Sequence, residues 1–127
     1  MTDLVYTDGY ALNSDAMPIE TDLELYKGDY VELFVIVKDD DDEPIDLTGY
    51  TARASMKLTY NDSNPVDFTC TVTGGIGKVR VYLPSSESAN LVPGHYIWDF
   101  EIINDDGDSR TYLAGDVTVN AEVTTAG

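Results

Sequence analysis

The sequence predicts an all-β fold, a single antiparallel β-sandwich of about seven to eight strands. Three observations lead to this prediction. Apolar and polar residues alternate with a period of two in segment after segment, which is the pattern of strands with one buried face. Clusters of Gly, Asp, Asn and Pro separate these segments as turns, and helical periodicity is almost absent.

The strands can be placed in chain order from this alternation. Two weak segments come first, at Leu4 to Tyr6 and at Leu23 to Tyr26. Six stronger segments follow, at residues 30–38, 50–58, 66–72, 78–83 and 95–102, and in a return strand through 113–119. Strands recurring roughly every 8 to 16 residues with turns between them favour the Ig-like form of the sandwich.

The connections between these strands carry turn-forming residues. Gly74, Gly75 and Gly77 provide a permissive hairpin turn. Residues 104–108, Asn-Asp-Asp-Gly-Asp, turn the chain into the last strand. Between two strands, the segment Pro-Ser-Ser-Glu-Ser-Ala-Asn predicts one short helical turn near residues 85–90.

The strand at 95–102 shows most clearly which side chains form the core. One face carries Tyr96, Trp98, Phe100 and Ile102, and the other carries His95, Asp99 and Glu101. A continuous apolar face of this kind is more often core than a binding platform. We therefore expect Trp98 to be buried and the three polar residues to face solvent.

Composition limits the classes of function. The chain has 127 residues and a formal net charge of -17, with 24 acidic residues against 7 basic ones. Such a surface repels phosphate backbones and anionic membranes, so we expect neither nucleic-acid nor membrane binding. With one cysteine, no internal disulfide can form, and no secretion signal or membrane-spanning run is evident. These features predict synthesis in a reducing cytoplasm.

Several residues could suggest a catalytic or metal site, and each has a simpler interpretation. The acidic run at 39–43 and the loop at 104–108 could attract a cation, but the positions an EF-hand requires hold Ile102 and Leu113. Cys70 lies in the buried register of its strand, where burial would raise the pKa of its thiol. His95 is the only histidine. We predict no catalytic, cofactor or metal site and no enzymatic activity.

Tyrosines leave a second possibility open. Tyr10, Tyr26, Tyr30, Tyr60 and Tyr82 fall at positions predicted to be exposed. Exposed aromatic rings can stack on sugars, so a carbohydrate- or receptor-binding module is an alternative.

The first twenty residues differ from the rest in their weak alternation. We divide the chain into an N-terminal arm or edge strand at 1–20 and a sandwich domain at 21–127. An arm could pair with the sheet edge of a neighbouring subunit, whereas an edge strand would complete the chain's own sheet.

Four stretches carry a resemblance to a known family: Pro44-Ile-Asp-Leu-Thr-Gly49-Tyr-Thr-Ala-Arg-Ala, Lys78-Val-Arg-Val-Tyr-Leu-Pro84, Leu91-Val-Pro-Gly-His-Tyr-Ile-Trp-Asp-Phe-Glu101 and Gly115-Asp-Val-Thr-Val119. Their order and spacing resemble the small Ig-like or baseplate-upper-protein-like sandwich domains of tailed-bacteriophage virion proteins. The resemblance covers about residues 25 to 124.

Every motif residue in this resemblance has an architectural role. It implies that Leu47 packs inward, that Gly49 takes a positive φ, that Ser85 caps the helical turn, and that Leu91 closes the end of the sandwich. Pro93 and Gly94 would form the turn into the next strand.

The resemblance implies a non-enzymatic structural protein of the virion, in the tail, baseplate, neck or fibre attachment. A capsid-surface decoration protein is a further alternative. The expected partners are other virion proteins and further copies of the chain, and the expected location is the virion, after synthesis in the host cytoplasm.

Overall fold

The computed structural model describes residues 4–6, 19–38, 43–58 and 65–121, and these residues form an all-β fold, as predicted. The strands are β1 (Leu4–Tyr6), β2 (Ile19–Glu20), β3 (Leu23–Tyr26), β4 (Val31–Val37), β5 (Thr51–Lys57), β6 (Val66–Thr73), β7 (Lys78–Leu83), β8 (Gly94–Ile103) and β9 (Ser109–Asn120). A 3-10 turn at Gly74–Ile76 joins β6 to β7, and the one-turn helix α1 spans Ser85–Ser88. The short helix lies where the sequence predicts it.

The described strands join edge to edge in the order β1-β4-β7-β6-β5-β8-β9-β2, and β3 also pairs with β9. Strand β6 belongs to two layers, because its residues 66–68 pair with β5 and its residues 69–73 pair with β7. We call β1, β4, β7 and the second half of β6 the first sheet. The remaining strands, with the first half of β6, form the second sheet.

The prediction of a purely antiparallel sandwich is wrong in one respect, because the sheet is mixed. Strand β1 runs parallel to β4, and both β2 and β3 run parallel to β9. The strands from β4 onward are consecutive or near neighbours and pair antiparallel, as hairpins and short connections allow. The N-terminal strands β1, β2 and β3 instead pair with the outer edges of β4 and β9, which are distant from them in sequence. This mixed topology does not establish the Ig-like form of the sandwich.

The core forms between the two sheets from residues that alternate as predicted. The inward residues of β4 are all buried, as are those of β8: Val31, Leu33, Val35 and Val37, and Tyr96, Trp98, Phe100 and Ile102. One buried ring was not predicted, that of Tyr112. A bulge between Phe100 and Glu101 shifts the pairing with β9, and both Tyr112 and Leu113 are consequently buried.

The loop before β5 adopts the conformation that the resemblance implies. Leu47 is fully buried, and Gly49 has a φ of +85°. The Asp46 carboxylate accepts hydrogen bonds from the backbone N–H and hydroxyl of Thr48, at 3.0 and 2.6 Å. These bonds lower the pKa of Asp46, since they favour its charged form.

The expected role of Ser85 as a helix cap is wrong. The cap position is held by Pro84, which makes no side-chain capping bond, and Ser85 is the first residue of α1. Ser88 is instead the residue that fixes α1, because its buried hydroxyl accepts a 2.9 Å hydrogen bond from the N–H of Gly28. Leu91, just beyond the helix, is buried as expected.

The N-terminal edge of the second sheet is held at one unusual point. Between β2 and β3, the N–H of Thr21 donates to the carbonyl of Ala114 at 2.8 Å, and its own carbonyl lies close beside Gly115 of β9. That carbonyl accepts a 2.7 Å hydrogen bond from the indole N–H of Trp98. The Asp22 carboxylate then accepts the hydrogen bond of the Asp116 N–H at 3.0 Å. We call this arrangement the edge clasp.

Gly115 makes the edge clasp possible. A Cβ at this position would overlap the carbonyl oxygen of Thr21 and lie 2.7 Å from its carbonyl carbon. The backbone of Thr21 can therefore pass beside β9 only where β9 has no side chain.

The division of the chain into an N-terminal segment at 1–20 and a domain at 21–127 stays a prediction. Residues 4–6 and 19–20 form edge strands of this chain's own sheets, whereas residues 1–3 and 7–18 lie outside the described residues.

We expect Gly115→Ala to lower the free energy of unfolding by about 1–3 kcal/mol, because the added methyl group must displace the Thr21 backbone. Chemical denaturation followed by tryptophan fluorescence measures the change. Gly75→Ala is the matched control, since a Cβ there meets nothing within 4 Å. Equal effects of the two substitutions would contradict the role assigned to Gly115.

Candidate functional site

The outer face of the second sheet collects carboxylates from several strands. We call the part of this surface around Asp99 the acidic face, and it consists of Glu20, Arg53, Ser55, Lys57, Asp67, His95, Asp99, Glu101 and Asp116. Cross-strand pairing sets Arg53 opposite Glu101 and Ser55 opposite Asp99. Five carboxylates and two permanently charged cations make the face negative.

Polar contacts within the acidic face occupy several of its side chains. The Nε of Arg53 donates to Oε1 of Glu101 at 2.7 Å, and the hydroxyl of Ser55 donates to Asp67 at 2.6 Å. His95 and Asp99 face solvent, as predicted, and Glu101 is partly exposed on the same face. Glu101 is thus paired with Arg53, and Asp99 lies two residues before it on the same face of β8.

Two shallow grooves, of about 380 and 460 Å³, run across the acidic face and share Ser55 and Asp99. The pKa of Asp99 is raised, mainly because the groove removes water from its carboxylate and also because Glu101 is close; Lys57 opposes this shift. At one end, Nε2 of His95 lies 3.4 Å from a carboxylate oxygen of Asp116. Open grooves with this lining suit a cationic or hydrogen-bonding surface better than an enclosed small molecule.

The outer face of the first sheet has a different chemistry. We call it the basic-aromatic face, and it consists of Tyr30, Glu32, Phe34, Ile36, Thr69, Thr71, Thr73, Lys78, Arg80 and Tyr82. The Lys78 ammonium lies 4.3 Å from the centre of the Phe34 ring, and the Arg80 guanidinium lies 4.1 Å from that of Tyr82. These are cation–π distances, so the rings hold both cations against the sheet.

Two of the tyrosines expected to be exposed come together on the basic-aromatic face. The ring centres of Tyr30 and Tyr82 are 6.4 Å apart, and Tyr30 is 52% exposed. Residue spacing alone could not show this, but the pairing of β4 with β7 sets Tyr82 opposite Glu32, next to Tyr30 on the same face. Tyr26 is exposed elsewhere, and Tyr10 and Tyr60 lie outside the described residues.

The turn at 104–108 has a structural explanation. The side-chain oxygen of Asn104 accepts 2.9 Å hydrogen bonds from the N–H groups of Asp106 and Asp108, which is how an Asx turn is held. Ile102 and Leu113, at the positions an EF-hand would need, are buried in the core. Within the described ranges, no group of three His, Cys, Asp or Glu side chains could hold a metal ion. Residues 39–42 of the acidic run lie outside these ranges.

Cys70 is half-buried in β6, on the inward side as predicted. Burial raises the pKa of its thiol to about 11, although a backbone hydrogen bond with Ala54 opposes the shift. A thiol with so high a pKa is a poor nucleophile near neutral pH.

In the part of the chain that the structure describes, no helix is both long and apolar enough to cross a membrane.

Comparison with solved structures places this fold beside a bacteriophage domain. The chain superimposes on the N-terminal domain of ORF48 of phage TP901-1 with a TM-score of 0.56 at 12% identity, covering 94% of this chain and 99% of that one. An internalin-like protein of Listeria monocytogenes matches with a TM-score of 0.39 at 15% identity, over 83% of this chain and 28% of that one. No protein-family model and no curated protein matches the sequence.

The likeness to the phage domain shows a shared fold over nearly the full length of both chains. At this level of identity it concerns architecture alone. The two outer faces and the edge clasp belong to this chain's own residues.

The raised pKa of Cys70 predicts slow alkylation. At pH 8, a pKa of about 11 leaves roughly one thiol in a thousand ionised, whereas a thiol near its ordinary value is about a hundred times more ionised. Mass spectrometry after iodoacetamide treatment should therefore show much slower labelling of the folded chain than of the chain in urea. The folded chain's rate should keep rising up to about pH 11, while the unfolded chain's rate levels off near pH 9. Plateaus at the same pH would contradict the raised pKa.

Proposed function

We propose that this chain is a non-enzymatic structural protein of a bacteriophage virion, present in several copies and acting through protein–protein contacts. The observation that carries the proposal is the match to a phage domain of the same size, over 94% of this chain and 99% of the other. A likeness that spans both chains from end to end concerns the whole folding unit and not a common substructure.

The surface of the chain supports this proposal. Its outer faces are broad, and the grooves on the acidic face are open and lined by polar groups engaged with one another. The outer faces also carry tyrosine and arginine residues, which are enriched at sites that contact other proteins. The proposed position of the chain is the tail, baseplate, neck or fibre attachment.

A second candidate function has one observation in its favour. Tyr30 and Tyr82 lie side by side, with Arg80 stacked on Tyr82, and rings arranged in this way could bind a sugar. The cation over Tyr82 covers one ring face, however, and the two rings are tilted by 38° to each other. They do not form one flat platform, and we therefore prefer the structural role.

The structural role predicts that the chain is a fixed component of the phage particle. Quantitative mass spectrometry of gradient-purified particles should find it at a constant number of copies per particle, and that number should survive a high-salt wash. A density map of the particle would then locate it. Absence of the chain from purified particles would overturn the proposal.

A glycan array separates the two candidate functions. The structural role predicts no specific glycan signal from the isolated chain. Binding that is lost in Tyr30→Ala and Tyr82→Ala, but kept in the exposed control Tyr26→Ala, would instead support the carbohydrate-binding module.

A further inference from the structure

The two outer faces of this chain differ in charge. The acidic face holds five carboxylates and two permanent cations, whereas the basic-aromatic face holds two cations, Lys78 and Arg80, and one carboxylate, Glu32. In a chain with a net charge of -17, a face with more cations than carboxylates stands out among the described residues. The two faces are the outer surfaces of two layers that share one core, so each points away from that core.

The basic-aromatic face is built to present its cations at fixed positions. The rings of Phe34 and Tyr82 lie beneath Lys78 and Arg80. Arg80 is held further by its 2.7 Å ion pair with Glu32, and 40% of its side chain remains exposed. Cations that are already ordered lose little side-chain entropy when a partner binds, which favours docking over solvation.

We propose that the basic-aromatic face of one copy docks on the acidic face of a second copy. Lys78 and Arg80 would lie against the grooves that contain Asp99 and Asp116, and Tyr30 would pack at the rim. The partner is a second copy because the same chain carries both the cationic surface and a matching acidic surface with a concave centre. The inference rests on the proposed function for its setting, a particle that holds several copies.

This contact joins two different surfaces and is therefore heterologous. A pair of docked copies still has one free acidic face and one free basic-aromatic face. The contact can therefore repeat until a ring closes or a filament forms. A two-fold dimer would instead bring identical faces together and set cation against cation and carboxylate against carboxylate.

The size of the basic-aromatic face sets the strength of a single contact. Three strands spaced about 4.8 Å apart, with about 3.3 Å per residue, give a surface of roughly 300 Å². Stable complexes bury about 800 Å² per partner, so one such contact is weak by itself. Association of the purified chain is therefore expected only at high protein concentration.

Sedimentation velocity of the purified chain over a wide concentration range tests the proposal. The weight-average mass of the wild-type chain should rise from the monomer value of 13.9 kDa as concentration increases. Asp99→Lys should weaken this association about tenfold, since it places a cation opposite Lys78 and Arg80. Asp99→Lys also lowers the net negative charge of the chain, which by itself would reduce the repulsion between copies and strengthen association. Weaker association would therefore show a local effect at the acidic face.

Matched controls separate local from overall charge effects. Glu87→Lys, in α1 and outside both faces, makes the same change in net charge as Asp99→Lys and should not weaken association. Lys78→Glu should weaken it about tenfold, and Lys27→Glu, a matched change in the turn after β3, should do so far less. Equal melting temperatures would show that each variant is folded.

Mixing the two face variants provides the strongest test. Lys78→Glu and Asp99→Lys should each associate poorly alone, but together they should recover, because the reversed charges complement each other. A wild-type chain that stays monomeric at the highest concentration overturns the proposal, and so does a mixture that does not recover. If the purified chain does not associate, the mass-spectrometry count of copies in purified particles is unaffected. The docking proposal and the proposed function can therefore fail separately.

Discussion

The hydrogen bond from the indole N–H of Trp98 to the carbonyl of Thr21 is the contact on which the N-terminal edge of the second sheet depends. Trp98 is 4% exposed, and an unpaired buried N–H group would cost about 1–3 kcal/mol. The bond satisfies that donor and fixes the point where β2 gives way to β3. Both short strands then lie parallel to β9 and cover a long edge that would otherwise be open to pairing with other chains. Trp98, the largest side chain of the core, thus also holds β2 and β3 against β9.

Much of this fold could be predicted from sequence because a half-buried strand must alternate. The inward residues of β4 and β8 are the predicted ones, and Leu47, Leu91 and Trp98 are buried as expected. Alternation shows neither the direction in which a strand runs nor the strand with which it pairs. Weak alternation predicts strands at residues 4–6 and 23–26, but their parallel pairing depends on a chain path that no local pattern records. The bulge that buries Tyr112 likewise interrupts the alternation that predicts burial elsewhere.

The candidate surfaces were less accessible to sequence reasoning, because they arise from pairing across strands. Phe34 and Lys78 are far apart in sequence, and only the register of β4 with β7 makes them neighbours. Net charge alone describes the whole chain as an acidic surface, and it hides the fact that Lys78 and Arg80 share one face. Sequence did place His95 and Asp99 correctly at the surface, since period-two alternation decides which side of a strand a residue occupies.

Strand β6 also has a mechanical consequence, because it carries backbone hydrogen bonds to β5 at one end and to β7 at the other. In a sandwich whose layers share no strand, a shearing load is opposed mainly by side-chain packing, which can slide. Here the load must also pass along the continuous backbone of β6 and through its hydrogen bonds to both layers. Sliding of one layer past the other would therefore have to break backbone hydrogen bonds of β6 as well as side-chain contacts.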